Sequence, residues 1–260
     1  MPPKPSKKSL PAKYVQDFRS ALEQALEATD EQGRKWADAK WGCYAFYDYD
    51  GEPIYVGQTN EQLRVRVRRH LSNQRTDAVA MRILDVFEVA EMELWPLWGY
   101  QDTPSSDKEA RKHLNRVEHT AYIRAVENSR FKAILNEKIP PISDVLGEMP
   151  PSRRFPLISD ETREERGHPD VRIARRAETI SRLAAVAHER GEVSPGLRRV
   201  LVVQAIRLAY LAASRLAGAT GRPEPSANAI SMRELVGDVH VPHSEIETDR
   251  PESELGLDFE

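Results

Sequence analysis

The sequence predicts an α+β fold: a small antiparallel or mixed three-stranded sheet flanked by helices, with a C-terminal helical hairpin and a flexible tail. Three observations lead there. Residues 42–57 hold two short runs of alternating apolar and aromatic residues broken by Asp50-Gly51, a strong short-range signal of a β-hairpin. Apolar residues recur at helical spacing in 11–39, 60–71 and 106–127. From Val171 the composition turns to alanine, leucine and arginine, interrupted by Ser194-Pro195-Gly196 as expected of two helices joined by a tight turn.

Taken in order, residues 1–10 are rich in proline and lysine and are expected to be disordered. Tyr14, Val15, Phe18, Leu22, Ala25 and Leu26 mark a helix within 11–39 that packs on the hairpin. A type I′ turn at Asp50-Gly51 pairs Tyr49 with Glu52, Tyr47 with Ile54, Phe46 with Tyr55 and Tyr44 with Gly57. Because side chains alternate along a strand, Tyr44, Phe46, Tyr55 and Gly57 share one face, and Gly57 leaves open space above the Tyr44 phenol. Thr59 and Gln62 form a capping box that starts a helix at Asn60. On it Leu63, Val67 and Leu71 make the buried stripe, with Arg66 and His70 together at its border. Arg64, Arg68, Arg69 and Arg75 bring the net charge of 60–75 to +4.

Ala78 to Leu84 reads as a short helix and Ala90 to Leu97 as a third strand, at a sheet edge where Pro96 is tolerated. Trp95 and Trp98 at its end are packing residues. Ser106 with Glu109 makes a second capping box, and the helix it opens runs to about Glu127. There Glu118 projects within about 40° of the middle of the apolar stripe set by Leu114, Ala121 and Ala125. A carboxylate in that position is costly unless it is paired or holds a metal, so it is either salt-bridged to an arginine such as Arg66 or a ligand for a divalent cation. Lys132, His113 and His119 read as solvated surface residues of this region.

These residues resemble the GIY-YIG endonuclease family. Gly42-Cys43-Tyr44 stands at its first motif and Tyr55-Val56-Gly57 at its second, with Arg66 and His70 matching the arginine and histidine of the following helix. Cys43 and Val56 replace isoleucine and keep an apolar side chain on the core face. The resemblance implies a metal-binding glutamate at Glu118, followed by Tyr122 and Ile123, and a terminal asparagine at Asn136, with Asn128 as the other candidate. It implies that Tyr44 activates water directly or through His70, and that Tyr55 positions the water or the phosphate. Arg66 would neutralise developing charge, and Glu118 would hold one Mg²⁺ or Mn²⁺. DNA would be the substrate, contacted in this module at Gly57, Arg64, Arg68 and Arg69.

The C-terminal third differs in character. Prolines 140, 141, 150, 151 and 156 mark 141–170 as a linker after a nuclease domain at 11–140. Residues 172–222 carry a net charge of +7 in a chain of −3, so charge is segregated. Arg172, Arg175 and Arg176 fall with Arg182 and Arg190 within about 120° of the helix. They form either the solvated face of a packing or homodimerisation module (171–217) or a phosphate-binding arm that holds DNA. The tail 218–260, acidic after Asp238, is expected to be disordered, and His240 with His243 makes at best half a metal site.

At 260 residues and 40% apolar composition the chain can bury one good core and a second small one. A single cysteine, Cys43, excludes an internal disulfide framework and a cysteine-based zinc site. No stretch resembles a signal peptide or an uninterrupted membrane span, so a cytoplasmic protein is expected. The expected activity is metal-dependent DNA endonuclease cleavage, in a restriction-like or defence setting. The alternatives are a structure-specific repair nuclease and a catalytically silent nucleic-acid-binding or assembly protein that keeps the fold.

Overall fold

A computed structural model describes residues 11–72 and 83–242. Its centre is a four-stranded antiparallel sheet of β1 (Gly42–Tyr47), β2 (Pro53–Thr59), β3 (Glu91–Pro96) and β4 (Arg153–Pro156), in the order β2-β1-β3-β4. The fourth strand comes from the segment expected to be a linker. Its short Arg-Arg-Phe-Pro run gives little alternation to read, yet Phe155 is buried opposite Met92.

The hairpin register holds at its inner end: Tyr44 pairs with Gly57 and Phe46 with Tyr55. It slips at the turn, where Tyr47 faces Pro53 rather than Ile54. Only Gly51 takes a positive φ, 72°, and its N–H donates to the Asp48 carbonyl at 3.0 Å, so the loop is not the two-residue I′ turn. The Asp48 carboxylate accepts from the N–H groups of Asp50 at 2.9 Å and Glu52 at 3.2 Å, stabilising this longer loop.

Seven α-helices lie among the described residues. α1 (Lys13–Glu27) buries Phe18, Leu22, Ala25 and Leu26, as its periodicity requires. It ends well before residue 39. α2 (Leu63–Leu71) buries Leu63, Val67 and Leu71 but starts three residues later than the capping box suggests, with Thr59 Oγ1 spent on the Glu61 N–H at 3.1 Å. α3 (Lys108–Asn128) is capped by Asp107, whose carboxylate accepts from the Ala110 N–H at 2.8 Å, rather than by Ser106. His119 on α3 is buried, not solvated, and Lys132 lies beyond the helix. The short helix expected at 78–84 falls largely outside the described residues.

After β4 come α4 (Asp160–Arg166), the hairpin of α5 (Pro169–Arg190) and α6 (Pro195–Thr220), and α7 (Met232–Val236). α6 is long and apolar enough by composition to cross a membrane, but here Arg199 and Arg207 are buried and it packs as one limb of the hairpin. The segment 218–242, expected to be disordered, is placed: Val239 is buried, and its carbonyl accepts from the Tyr122 hydroxyl at 2.6 Å. The rest of the tail, with His243, and residues 1–10 lie outside the described residues.

Arg172, Arg175 and Arg176 of α5 face inward, while Arg182 and Arg190 are exposed. Asp48 Oδ2 accepts from Arg207 at 2.7 Å, from Arg172 at 3.1 Å and from Arg176 at 3.1 Å, all four residues being buried. Arg172 also reaches Asp50 at 2.9 Å, and Arg176 Nε reaches Glu88 at 3.1 Å. Arg175 pairs with Asp85 at 2.5 Å. Arg172 and Arg176 therefore do not form the exposed phosphate-binding face expected of them. They dock the helical hairpin onto the β1–β2 turn, and a helical wheel cannot tell a solvated charged face from one that meets buried carboxylates.

Candidate active site

The site is built at the β2 edge of the sheet, where helices from its two faces meet. α2 lies on the face of Tyr44, whose hydroxyl bonds His70 Nε2 at 2.9 Å. α3 lies on the opposite face, where Cys43 Sγ meets the Leu114 carbonyl at 3.9 Å. Arg66 and His70 thus come from one side and Glu118 from the other. With Tyr55 and Asn136 they line one cleft of about 440 Å³.

Two glycines are required here by close approach. A Cβ at Gly57 would stand 2.4 Å from Tyr44 Oη, so the phenol occupies the space that the sequence shows only as a missing side chain. A Cβ at Gly42 would meet the Trp95 carbonyl at 2.7 Å and Leu63 Cδ1 at 2.8 Å, pressing α2 off the sheet. Both backbones take ordinary φ, so it is contact and not conformational freedom that excludes a side chain.

Three aromatic rings stand together: the Tyr44 and Tyr55 centroids are 6.3 Å apart, and His70 lies 5.7 Å from Tyr44 and 5.6 Å from Tyr55. Burial pushes the Tyr44 phenol well above its ordinary range, with Tyr55 adding to the rise and Arg66 opposing it. Burial, then the charges of Arg66 and Arg69, lower His70 to about 4. At neutral pH the phenol keeps its proton and donates it to a neutral imidazole, whose own proton is then on Nδ1.

Glu118 is 8% exposed, and its carboxylate makes no hydrogen bond or ion pair among the described residues. The salt bridge to Arg66, one of its two sequence readings, does not form. Burial raises its pKa to about 7, with Arg66 opposing. Arg66 Nε is likewise buried without a partner. A carboxylate and a guanidinium that share a cleft but do not satisfy each other leave both to a ligand: an anionic group for Arg66 and a cation for Glu118. An oxygen donor of this kind suits Mg²⁺ or Mn²⁺, which take carboxylate with water and substrate oxygens and need no full protein cage. No cluster of three or more His, Cys, Asp or Glu that could hold a metal occurs among the described residues.

Asn136 pins the edge strand. Its Oδ1 accepts from the Val56 N–H at 3.0 Å and its Nδ2 donates to the Val56 carbonyl at 2.8 Å, the residue between Tyr55 and Gly57. Asn128 instead lines a separate cavity with Ala45 and Glu93. Three polar cleft residues have no sequence signal that singles them out: Gln58, bonded to Asn115 at 3.0 Å beside the second motif, and Glu137 and Lys138, which follow Asn136.

The candidate DNA contacts fare unevenly. Gly57 lines the cleft. Arg64 pairs with Glu27 at 2.5 Å and Asp38 at 2.8 Å, Arg69 pairs with Glu61 at 2.9 Å, and Arg68 pairs with Glu23. Arg64 and Arg68 thereby tie α2 to the region of α1, and neither is an unclaimed cation. Arg172, Arg175 and Arg176 are engaged in the ion pairs described above and do not line the cleft.

Residues 40–103 match the family model described as the GIY-YIG catalytic domain. No curated protein and no solved structure matches the chain. The matched segment ends before Glu118 and Asn136, whose membership of the site rests on the geometry above. Since the match covers the two-tyrosine ribbon and the Arg-His helix, the chain carries at its core a domain of the GIY-YIG nuclease type.

Proposed function

We propose that the chain is a divalent-metal-dependent endonuclease that hydrolyses DNA phosphodiester bonds. The observation that carries this reading is Glu118: a buried carboxylate without a partner, in one cleft with Arg66 and with the ring of His70. When bound at Glu118, Mg²⁺ or Mn²⁺ supplies charge relief at the leaving oxygen. The chain's own residues do the rest. Tyr44 would take the proton of the attacking water as its own passes to His70 Nε2, a route that avoids a free buried phenolate and requires the substrate-bound cleft to open onto the phenol, which lies fully buried behind it. The water oxygen bonds to phosphorus as the P–O ester bond breaks, and the departing alkoxide takes its proton from solvent water. Arg66 stabilises the charge that builds on the phosphoryl oxygens, and Tyr55 sets the position of the phosphate or the water. Asn136 keeps β2 in place beneath them.

The direct test is conversion of supercoiled plasmid to nicked or linear forms by the purified chain, with and without Mg²⁺, beside Glu118→Ala. Cutting that needs the metal and disappears in the variant supports the reading, and equal cutting by both proteins overturns the metal assignment. A restriction-like or defence role further expects unmodified foreign DNA to be cut and the host's own DNA to be spared.

A further inference from the structure

The first turn of α6, far outside the 40–103 match, closes on the backbone that carries Asn136. Arg199 Nη2 donates to the Asn136 carbonyl at 2.8 Å and to the Glu137 carbonyl at 3.0 Å. Ser194 Oγ donates to Glu137 Oε1 at 2.7 Å. A Cβ on Gly196 would stand 1.9 Å from the Glu137 carbonyl oxygen, so helix and segment touch with no room between them.

Arg199 is an expensive residue for this place. It is 5% exposed, has no carboxylate within ion-pairing distance among the described residues, and its Nη1 is buried without a partner. Buried arginines are ordinarily paired, and an apolar residue of similar size packs a helix at lower cost. What the guanidinium gains is two main-chain carbonyls held at once, both by Nη2. Those carbonyls belong to Asn136, which fastens the edge strand through both bonds to Val56, and to Glu137 beside it; one residue earlier, the Leu135 N–H donates to the Ile54 carbonyl at 2.8 Å.

We propose that Arg199 is a positioning residue of the nuclease site, holding the Asn136-Glu137 backbone so that the Asn136 amide locks Val56 and with it Tyr55 and Gly57. The C-terminal hairpin is then part of the catalytic unit. The catalytic consequence rests on the nuclease reading, but the mechanical one does not.

The test uses the full chain with Arg199→Met, Arg199→Lys, Asn136→Ala, the Arg199→Met/Asn136→Ala double variant, and Arg198→Met as an exposed neighbour. Hydrogen exchange of peptides covering 53–59 reads the brace, and steady-state nicking with Mg²⁺ reads its effect. Arg199→Met is expected to speed exchange at Val56 as Asn136→Ala does, and to lower kcat about 10- to 100-fold with KM changed less than about threefold. The double variant should be no worse than Asn136→Ala, Arg199→Lys should fall between, and Arg198→Met should match wild type. Unchanged exchange and kcat in Arg199→Met, or losses that multiply in the double variant, would overturn the proposal. Should Arg199→Met lose protection across β1 and β3 as well, and so fail to fold, Arg199→Lys carries the same comparison. Faster exchange at 53–59 in a protein that never cuts DNA would leave the brace standing and remove the nuclease reading instead.

Discussion

Tyr44 and His70 form a hydrogen-bonded pair, 2.9 Å from Oη to Nε2, inside the fold and behind the cleft where Arg66 and Glu118 meet. The phenol is pushed up by burial and the imidazole down to about 4, so neither carries charge at neutral pH. A pair in that state can relay a proton in one direction, from phenol to imidazole, and neither partner can do it alone. Tyr44→Phe and His70→Ala should therefore each lower kcat by about 10²- to 10⁴-fold, and the double variant should be no slower than the worse single one. Losses that multiply would show that the two residues act in separate steps.

Glu118 makes stability depend on pH in a direction opposite to most carboxylates. Its folded pKa, about 7, lies above the ordinary 4.5, so the folded protein holds a proton that the unfolded chain has given up. Stability from this group is present below about 4.5, falls as pH rises, and is gone above about 7. Glu118→Gln removes the titration. Without divalent cation, urea unfolding should find it equal to wild type at acid pH and more stable at pH 8 by about 3 kcal/mol. Mg²⁺ should narrow that gap by stabilising only the wild type. A variant no more stable than wild type at pH 8 would mean that the carboxylate already has a partner.

Gly57→Ala puts a methyl group 2.4 Å from the Tyr44 hydroxyl oxygen. The ring must move, which breaks its bond to His70 and should cost about 1–3 kcal/mol of stability as well as activity. Removing the hydroxyl relieves only part of the clash, because Tyr44 Cζ stands 2.6 Å and Cε1 3.2 Å from the same Cβ. Gly57→Ala/Tyr44→Phe should therefore remain less stable than Tyr44→Phe in thermal unfolding, with nicking no higher than that of Tyr44→Phe. A double variant as stable as Tyr44→Phe would show that the methyl group fits without moving the ring.

The two-tyrosine ribbon was legible because its signals are local. Alternation fixed the shared face of Tyr44 and Tyr55, and the helical period put Arg66 beside His70 and Glu118 on a buried stripe. What the sequence left open was decided over long separations. Whether Glu118 met Arg66 depended on two helices packed on opposite faces of the sheet. The fourth strand is four residues long and pairs with β3 some sixty positions earlier, too short to show a period. The turn slipped by one residue because Asp48 accepts backbone hydrogens across the loop and draws three arginines from more than 120 residues away. A wheel drawn for α5 alone shows five arginines on one side and says nothing of the carboxylates that Arg172, Arg175 and Arg176 meet.

That last cluster turns an expectation about DNA into one about stability. Burial by itself would raise the Asp48 carboxyl, but the guanidiniums of Arg207, Arg172 and Arg176 outweigh it and hold it below its ordinary range. Replacing Asp48 with Asn leaves three buried cations facing a neutral amide, and breaking a buried pair from one side costs about 3–5 kcal/mol. Arg172→Ala with Arg176→Ala should likewise destabilise the protein, because Glu88 loses its hydrogen-bonded partner. Neither residue is available to a phosphate, so the salt dependence of DNA binding, which counts the phosphate contacts made, should keep the wild-type slope in the double variant at a temperature where it remains folded. Binding measured across a range of salt concentrations checks this, and a slope flattened by about two contacts would show that the hairpin swings its arginines onto DNA after all.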